Sequence, residues 1–191
     1  MTKFLLHGGA SSNKSDDNRK FFTEVLNSVN SSNVNILCVY FARPWHRWDE
    51  SFEEDKEIFI SVNSDRELNF DLAKLDKEEL IEQIGKSDII FINGGRNGCL
   101  KDVLEDLNNF SDLIKGKVVV GISAGANILA KYYYSNVADT IREGIGLLPI
   151  KTFCHFTENN ISELNELDKY KEKITIYKIP EEKFLVFEIN E

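Results

Sequence analysis

Long apolar runs are absent from this chain, cysteine is scarce, and basic residues are outnumbered and dispersed. No stretch approaches the roughly 18–20 apolar residues that span a bilayer. Met1 to Leu6 is too short for a signal-peptide core before His7-Gly8-Gly9 interrupts it, so a cytoplasmic protein is expected. Three cysteines, Cys38, Cys99 and Cys154, lie far apart without CxxC spacing, which excludes a disulfide framework and a zinc knuckle and leaves reduced thiols. With 23 basic against 32 acidic residues, a net charge of −9 and no Lys/Arg cluster, the chain lacks the footprint that nucleic acid requires. G-x-G-x-x-G and Gly-Lys-Ser/Thr are also missing, which removes the dinucleotide fingerprint and the Walker loop. No repeat or linker divides the 191 residues, a length that suits one domain over 1–191 with one large core.

What is present centres on Lys117 to Ala130, KVVVGISAGANILA. The β-branched Val118-Val119-Val120 predicts a strand, Gly121-Ile122-Ser123-Ala124-Gly125 a sharp turn, and Ala126 to Ala130 a helix. This is G-x-S-x-G in the context a nucleophile elbow needs: the glycines let strand and helix crowd together and the serine stands at the corner. The competing reading is a tight β–α turn in which Ser123 merely caps the helix.

Around it, Lys3 to His7 predicts a strand, Asp17 to Val29 a helix and Asn33 to Phe41 a buried strand, a β–α–β opening that calls for a parallel sheet. The loop Ala42 to Asp49 places Trp45, Trp48, His46 and two arginines at the functional edge, as a candidate substrate wall. Trp48 to Val62 is expected to be helical, Leu68 to Phe70 a short strand, Asp76 to Ile84 a helix capped by Asp76, and Asp88 to Ile92 a strand. Asn93 to Gly98 then carries the pair Gly94-Gly95, where backbone N–H groups can face a ligand, before a helix from Cys99 to Leu107. Ile150 to Phe156 predicts a strand ending at His155, and Glu158 to Tyr170 a helix. Ile174 to Ile179 and Phe184 to Ile189 predict strands joined as a hairpin across Pro180-Glu181-Glu182-Lys183. The expected fold class is α/β, a three-layer α/β/α sandwich with a mainly parallel sheet and a C-terminal β-hairpin.

A serine nucleophile needs a base and a group that orients it. His155 follows Ser123 beyond Asp139, the Ser, Asp, His order that triads on α/β sheets use; Glu143 and Glu158 are the other carboxylates near in sequence. The N–H of Ala124 supplies one oxyanion donor and the Gly94-Gly95 turn, Gly94 or Gly95, a second. Cys99 and Cys154 stand at no elbow and are expected in the core.

Four stretches together resemble the serine peptidase family of dipeptidase E (peptidase E) and cyanophycinase. Phe91 to Asn97 is similar to its G-G-N turn, Gly121 to Asn127 to its G-x-S-A-G-A-N elbow, Gly146 to Pro149 to its approach to the histidine, and His155-Phe156-Thr157 to its H-F-T. The resemblance implies a class I glutamine amidotransferase-like (flavodoxin-like) fold, nucleophile Ser123, base His155 and third member Asp139. It also implies oxyanion donors from Gly94 or Gly95 and Ala124, with no metal or organic cofactor, and hydrolysis of short peptides. Arg96 stands where the family has the G-G-N asparagine, which places a cation beside the oxyanion turn; with Asn97, Trp45 and Trp48 it completes the expected substrate-binding set. A small peptide or amide is the expected substrate, with neither nucleic acid nor membrane as partner and a homodimer left open. Two other readings are an α/β-hydrolase-type esterase, prompted by the elbow and His7-Gly8-Gly9, and an inactive amidotransferase-like domain that binds a small ligand or partner.

Overall fold

A computed structural model describes residues 1–63, 65–107 and 109–189, with the side chains of Asn97, Gly98 and Cys99 outside the described set. Among the described residues, ten strands fall into two sheets. The larger is built from β1 (Thr2–His7), β2 (Asn33–Val39), β3 (Glu67–Leu72), β4 (Ile89–Ile92), β5 (Val118–Ile122) and β10 (Phe184–Ile189), in the order β10-β1-β5-β4-β2-β3. All neighbours are parallel except β10, which pairs antiparallel with β1. The smaller holds β6 (Ala130–Ser135), β7 (Thr140–Glu143), β8 (Leu148–Cys154) and β9 (Ile176–Ile179), in the order β7-β6-β8-β9.

Helices cover both faces of the larger sheet. On one face α1 (Asp16–Asn27) and α2 (Trp48–Val62) bury Phe21, Phe22, Val25, Leu26 and Phe59 against Leu5, Ile36, Phe91 and Val120. The Ser15 side chain caps α1 by accepting the Asn18 N–H, and the spacing of its four apolar residues turns one stripe inward. Each such side chain contributes about 1.5–3 kcal/mol on leaving water. On the other face α3 (Lys77–Lys86), α4 (Asn97–Asp106), α5 (Phe110–Leu113) and α6 (Ala124–Leu129) pack Leu80, Ile84, Leu100, Leu104 and Ile128 over Leu6, Leu37, Ile90 and Val119. Alternation along the central strands feeds the two clusters in turn, as a pleat with two buried faces requires.

The smaller sheet has its own cluster, Tyr132, Tyr134, Phe153, Phe156 and Leu167, under α7 (Ile161–Lys169). The tyrosine run after the elbow helix is therefore strand β6. Two sequence expectations change. Residues 158–160 form a separate 3-10 turn, because Thr157 and Asn160 close a capping box ahead of α7. The C-terminal hairpin does not form: β9 pairs with β8 in the smaller sheet and β10 with β1 in the larger, so Pro180 to Lys183 bridge the two sheets. Turn residues between two apolar runs gave a local signal, but the two runs find their pairing partners in different sheets, β8 and β1.

Candidate active site

Ser123 sits between β5 and α6 with φ 52° and ψ −103°, outside the comfortable regions for an L-residue. Such a conformation costs about 1–3 kcal/mol and persists where its surroundings impose it. The two elbow glycines show how. A Cβ on Gly121 would stand 2.6 Å from the Ala126 nitrogen, and one on Gly125 would run into the Ile92 carbonyl. Only glycine permits this approach of strand and helix.

The Ser123 hydroxyl lies 2.7 Å from Nε2 of His155, which follows the end of β8 at φ 55°. Nδ1 of the same ring is 2.9 Å from Oε1 of Glu181, in the bridge between β9 and β10. A carboxylate only accepts, so Nδ1 carries the proton and Nε2 is free to accept from the serine.

Glu181 was not among the sequence candidates, and Asp139 does not reach the imidazole. Asp139 lies in the β6–β7 turn, exposed, and accepts a hydrogen bond from Tyr134 Oη at 2.6 Å. Glu143 is paired with Lys171, and Glu158 opens the 3-10 turn. Chain order pointed to a carboxylate between Ser123 and His155. The sheet pairing supplies one from beyond both, and only the position of Pro180 to Lys183 as a sheet-to-sheet bridge, obscured by the hairpin reading, could have signalled it.

The turn His7-Gly8-Gly9 holds these groups together. The Ser123 N–H donates to the His7 carbonyl at 2.8 Å, the His155 N–H to the Gly8 carbonyl at 3.0 Å, and the Glu182 N–H to the Gly9 carbonyl at 3.0 Å. Its own amides are engaged as well, Gly8 on the Lys183 carbonyl and Gly9 on Nδ1 of His7. With both glycine N–H groups occupied, this turn is not the oxyanion turn that the esterase reading took it for. His7 is fully buried, donates from Nε2 to Asn18 and is held neutral, burial drawing its pKa from 6.5 down to about 4.

Gly94 abuts the serine: a Cβ there would be 3.1 Å from Ser123 Cβ and 3.6 Å from Oγ. Its N–H, however, donates to its neighbour Asn93 Oδ1 at 2.6 Å, while the Arg96 N–H donates to the Ala42 carbonyl at 2.6 Å. Gly95, at φ 153° against the Ala42 carbonyl, has an N–H with no acceptor among the described residues. Of the two glycines proposed from sequence, Gly95 is thus the one with a hydrogen to offer.

An open cleft of about 670 Å³ surrounds Ser123 and His155, lined in part by Ser11, Pro44, His46, Arg47, Arg96 and Val137. Among the described residues, no aspartate or glutamate lines it. Arg47 is paired with Glu50 at 2.6 Å, whereas Arg96 is exposed and has no ion-pair partner among the described residues. The two tryptophans do not line this cleft. Trp48 turns inward, packs on Phe41 and donates to the Arg43 carbonyl at 3.0 Å, and Trp45 is 80% exposed. The Asn97 side chain lies outside the described residues. Cys38 and Cys154 are buried and their thiols are pushed far up by burial, which makes them poor nucleophiles; the Cys99 side chain is outside the described set.

A hydroxyl, an imidazole and a carboxylate in one hydrogen-bonded row, on a mainly parallel α/β scaffold, are the arrangement of serine-type hydrolases. The family follows from comparison: the model of Peptidase family S51 matches residues 4–191, and the chain belongs to that family of serine-type peptidases. Among solved structures, a peptidase from an acI-B1 Actinobacterium is 17% identical with a TM-score of 0.68, covering 98% of this chain and 83% of that one. A putative peptidase E protein from Listeria monocytogenes EGD-e is 15% identical with a TM-score of 0.66 over 100% of both chains. These two likenesses carry the fold. No curated protein matches.

Proposed function

We propose that this chain hydrolyses short peptides with Ser123 as nucleophile, His155 as general base and Glu181 as the group that orients the imidazole. The observation that carries the reading is the 2.7 Å contact between Ser123 Oγ and His155 Nε2 at a strained elbow. Oγ attacks the scissile carbonyl carbon while its proton passes to Nε2, and the imidazolium that forms is stabilised through Nδ1–H by the Glu181 carboxylate. The carbonyl oxygen becomes an oxyanion, received by the N–H groups of Ala124 and Gly95, a pair of donors of which each is worth about 10²–10³ in rate. Nε2–H then protonates the leaving amine as the C–N bond breaks, and water repeats the sequence on the acyl-enzyme.

The cleft volume of about 670 Å³ suits a short peptide, and its charged lining is cationic. Arg96 supports a substrate that bears a carboxylate near the scissile bond, since no described partner satisfies its guanidinium. The test is release of free amino acids from a pooled library of unblocked di- and tripeptides, read by mass spectrometry for the native protein and Ser123→Ala. Serine-dependent release is expected, weighted towards acidic peptides. Release that survives Ser123→Ala, or none from any peptide, overturns the reading.

A further inference from the structure

Beneath the Gly94-Gly95 turn lies a buried polar chain that the proposed chemistry does not use. Asp55, on α2, is 4% exposed. Its Oδ2 accepts from Tyr40 Oη at 2.9 Å and from Asn93 Nδ2 at 2.5 Å. Asn93, equally buried, spends its other side-chain atom on the turn: Oδ1 accepts the Gly94 N–H at 2.6 Å and Arg43 Nη2 at 3.0 Å. Arg43 also donates to the Gly94 carbonyl at 3.3 Å and to Ser51 Oγ at 3.0 Å. Both polar groups of the Gly94 backbone are therefore held by one aspartate, asparagine and arginine relay.

Such an arrangement is costly unless it is used. Burial pushes the Asp55 carboxyl up to about 6, against the hydrogen bonds from Tyr40 and Asn93 and the charge of Arg43, which lower it. An apolar residue would fill the site without that penalty. What the carboxylate adds is direction. Asn93 can present either end of its amide, and an acceptor that cannot donate fixes Nδ2 towards Asp55 and Oδ1 towards Gly94. With Asn93 set, the Gly94 N–H is engaged by Oδ1, and the Gly95 N–H is the one in this turn without an acceptor among the described residues.

We propose that Asp55 is a positioning residue: acting through Asn93, it fixes the Gly94-Gly95 turn so that Gly95, and not Gly94, meets the oxyanion. The inference rests on the serine peptidase reading for its catalytic consequence, but its structural half stands apart from it.

The experiment pairs two readings on the wild type and on Asp55→Asn, which keeps the shape and removes the charge. One is amide hydrogen exchange at Gly94, followed by NMR. The other is phosphonylation of Ser123 by an alkyl fluorophosphonate, whose P=O occupies the oxyanion position whatever the natural substrate, resolved into kinact and KI. In Asp55→Asn, Gly94 exchange rises about tenfold, and kinact falls by about tenfold or more with KI unchanged. Asn93→Ser, which cuts the same link from its other end, gives the same pair of changes. Lys151→Met, a substitution in the other sheet, changes neither, which separates positioning from general loosening. Unchanged Gly94 exchange in Asp55→Asn overturns the proposal, as does faster exchange with kinact preserved. If the wild type is not labelled at Ser123, the peptidase reading fails, and Gly94 exchange alone decides whether Asp55 holds the turn.

Discussion

Gly9 lies directly against the imidazole of His155, so closely that a Cβ on Gly9 would run into the ring. The φ of 128° at Gly9 is also one that side-chain-bearing residues avoid, so position and conformation both demand glycine. The first turn of the chain is thus the seat on which the base rests, made from residues 146 positions away from it.

Gly9→Ala is expected to fold and to lose activity. The methyl group displaces the ring from Ser123 Oγ, and a misplacement of about 1 Å costs on the order of 100-fold in turnover. Steady-state kinetics beside a circular dichroism melt would check this; full activity in a folded variant would mean that the ring position is set elsewhere.

Glu181→Gln should lower kcat by about 10³-fold or more, because the amide can present a donor to Nδ1 and no longer balances an imidazolium. Asp139→Asn should stay within about twofold, since its partner is Tyr134 and not the imidazole. Measured side by side, the two variants decide which carboxylate serves His155. Equal losses would contradict the geometry.

His7 makes stability depend on pH in a definite direction. Unfolded, the ring gains a proton near 6.5; folded, only near 4, because burial disfavours the charge. Between those values the unfolded chain binds more protons, so this contribution is full above 6.5 and is lost as pH falls towards 4. The melting temperature of His7→Gln should lie below that of the wild type at pH 7.5 and converge on it by pH 4. Asp55 acts oppositely, its raised carboxyl favouring the folded state as pH drops below about 6, which is why the difference between variants is the quantity to follow.

Lys151 has a role in the smaller sheet. Fully buried, its ammonium donates to the carbonyls of Leu167, at 2.8 Å, Asp168, at 3.0 Å, and Tyr170, at 2.8 Å, closing the C-terminal end of α7. Lys151→Met leaves those carbonyls without their charged donor and should cost about 2–4 kcal/mol. A denaturant midpoint would measure it; a loss under about 0.5 kcal/mol would show that the carbonyls find other donors.

Much of this was legible in the chain. The helix of α2 falls at Trp48–Val62, the limits its apolar spacing gives, and Asp76 caps α3 as its side chain predicts, accepting the Glu79 N–H at 3.0 Å. Ser123 and His155 were legible because each stands at a strand end marked by local sequence. Glu181 was not, because the bridge that carries it looks like a hairpin turn, and nothing local reports that its flanking strands belong to different sheets. Trp48 could be read two ways for a related reason. An aromatic residue in a proline turn can face substrate or core, and the hydrogen bond to Arg43 that decides between them spans a turn whose shape the sequence does not display. Asp55 was hidden inside an acidic helix, where a buried carboxylate resembles its solvated neighbours.

The three groups of the proposed triad come from both sheets and from the bridge between them: Ser123 follows β5, His155 follows β8, and Glu181 precedes β10. During synthesis the serine and histidine emerge well before the carboxylate, and the carboxylate is anchored only when Phe184–Ile189 adds itself to the edge of β1. In the proposed mechanism, hydrolytic competence therefore waits on the pairing of β10 with β1, which seats the carboxylate beside the imidazole.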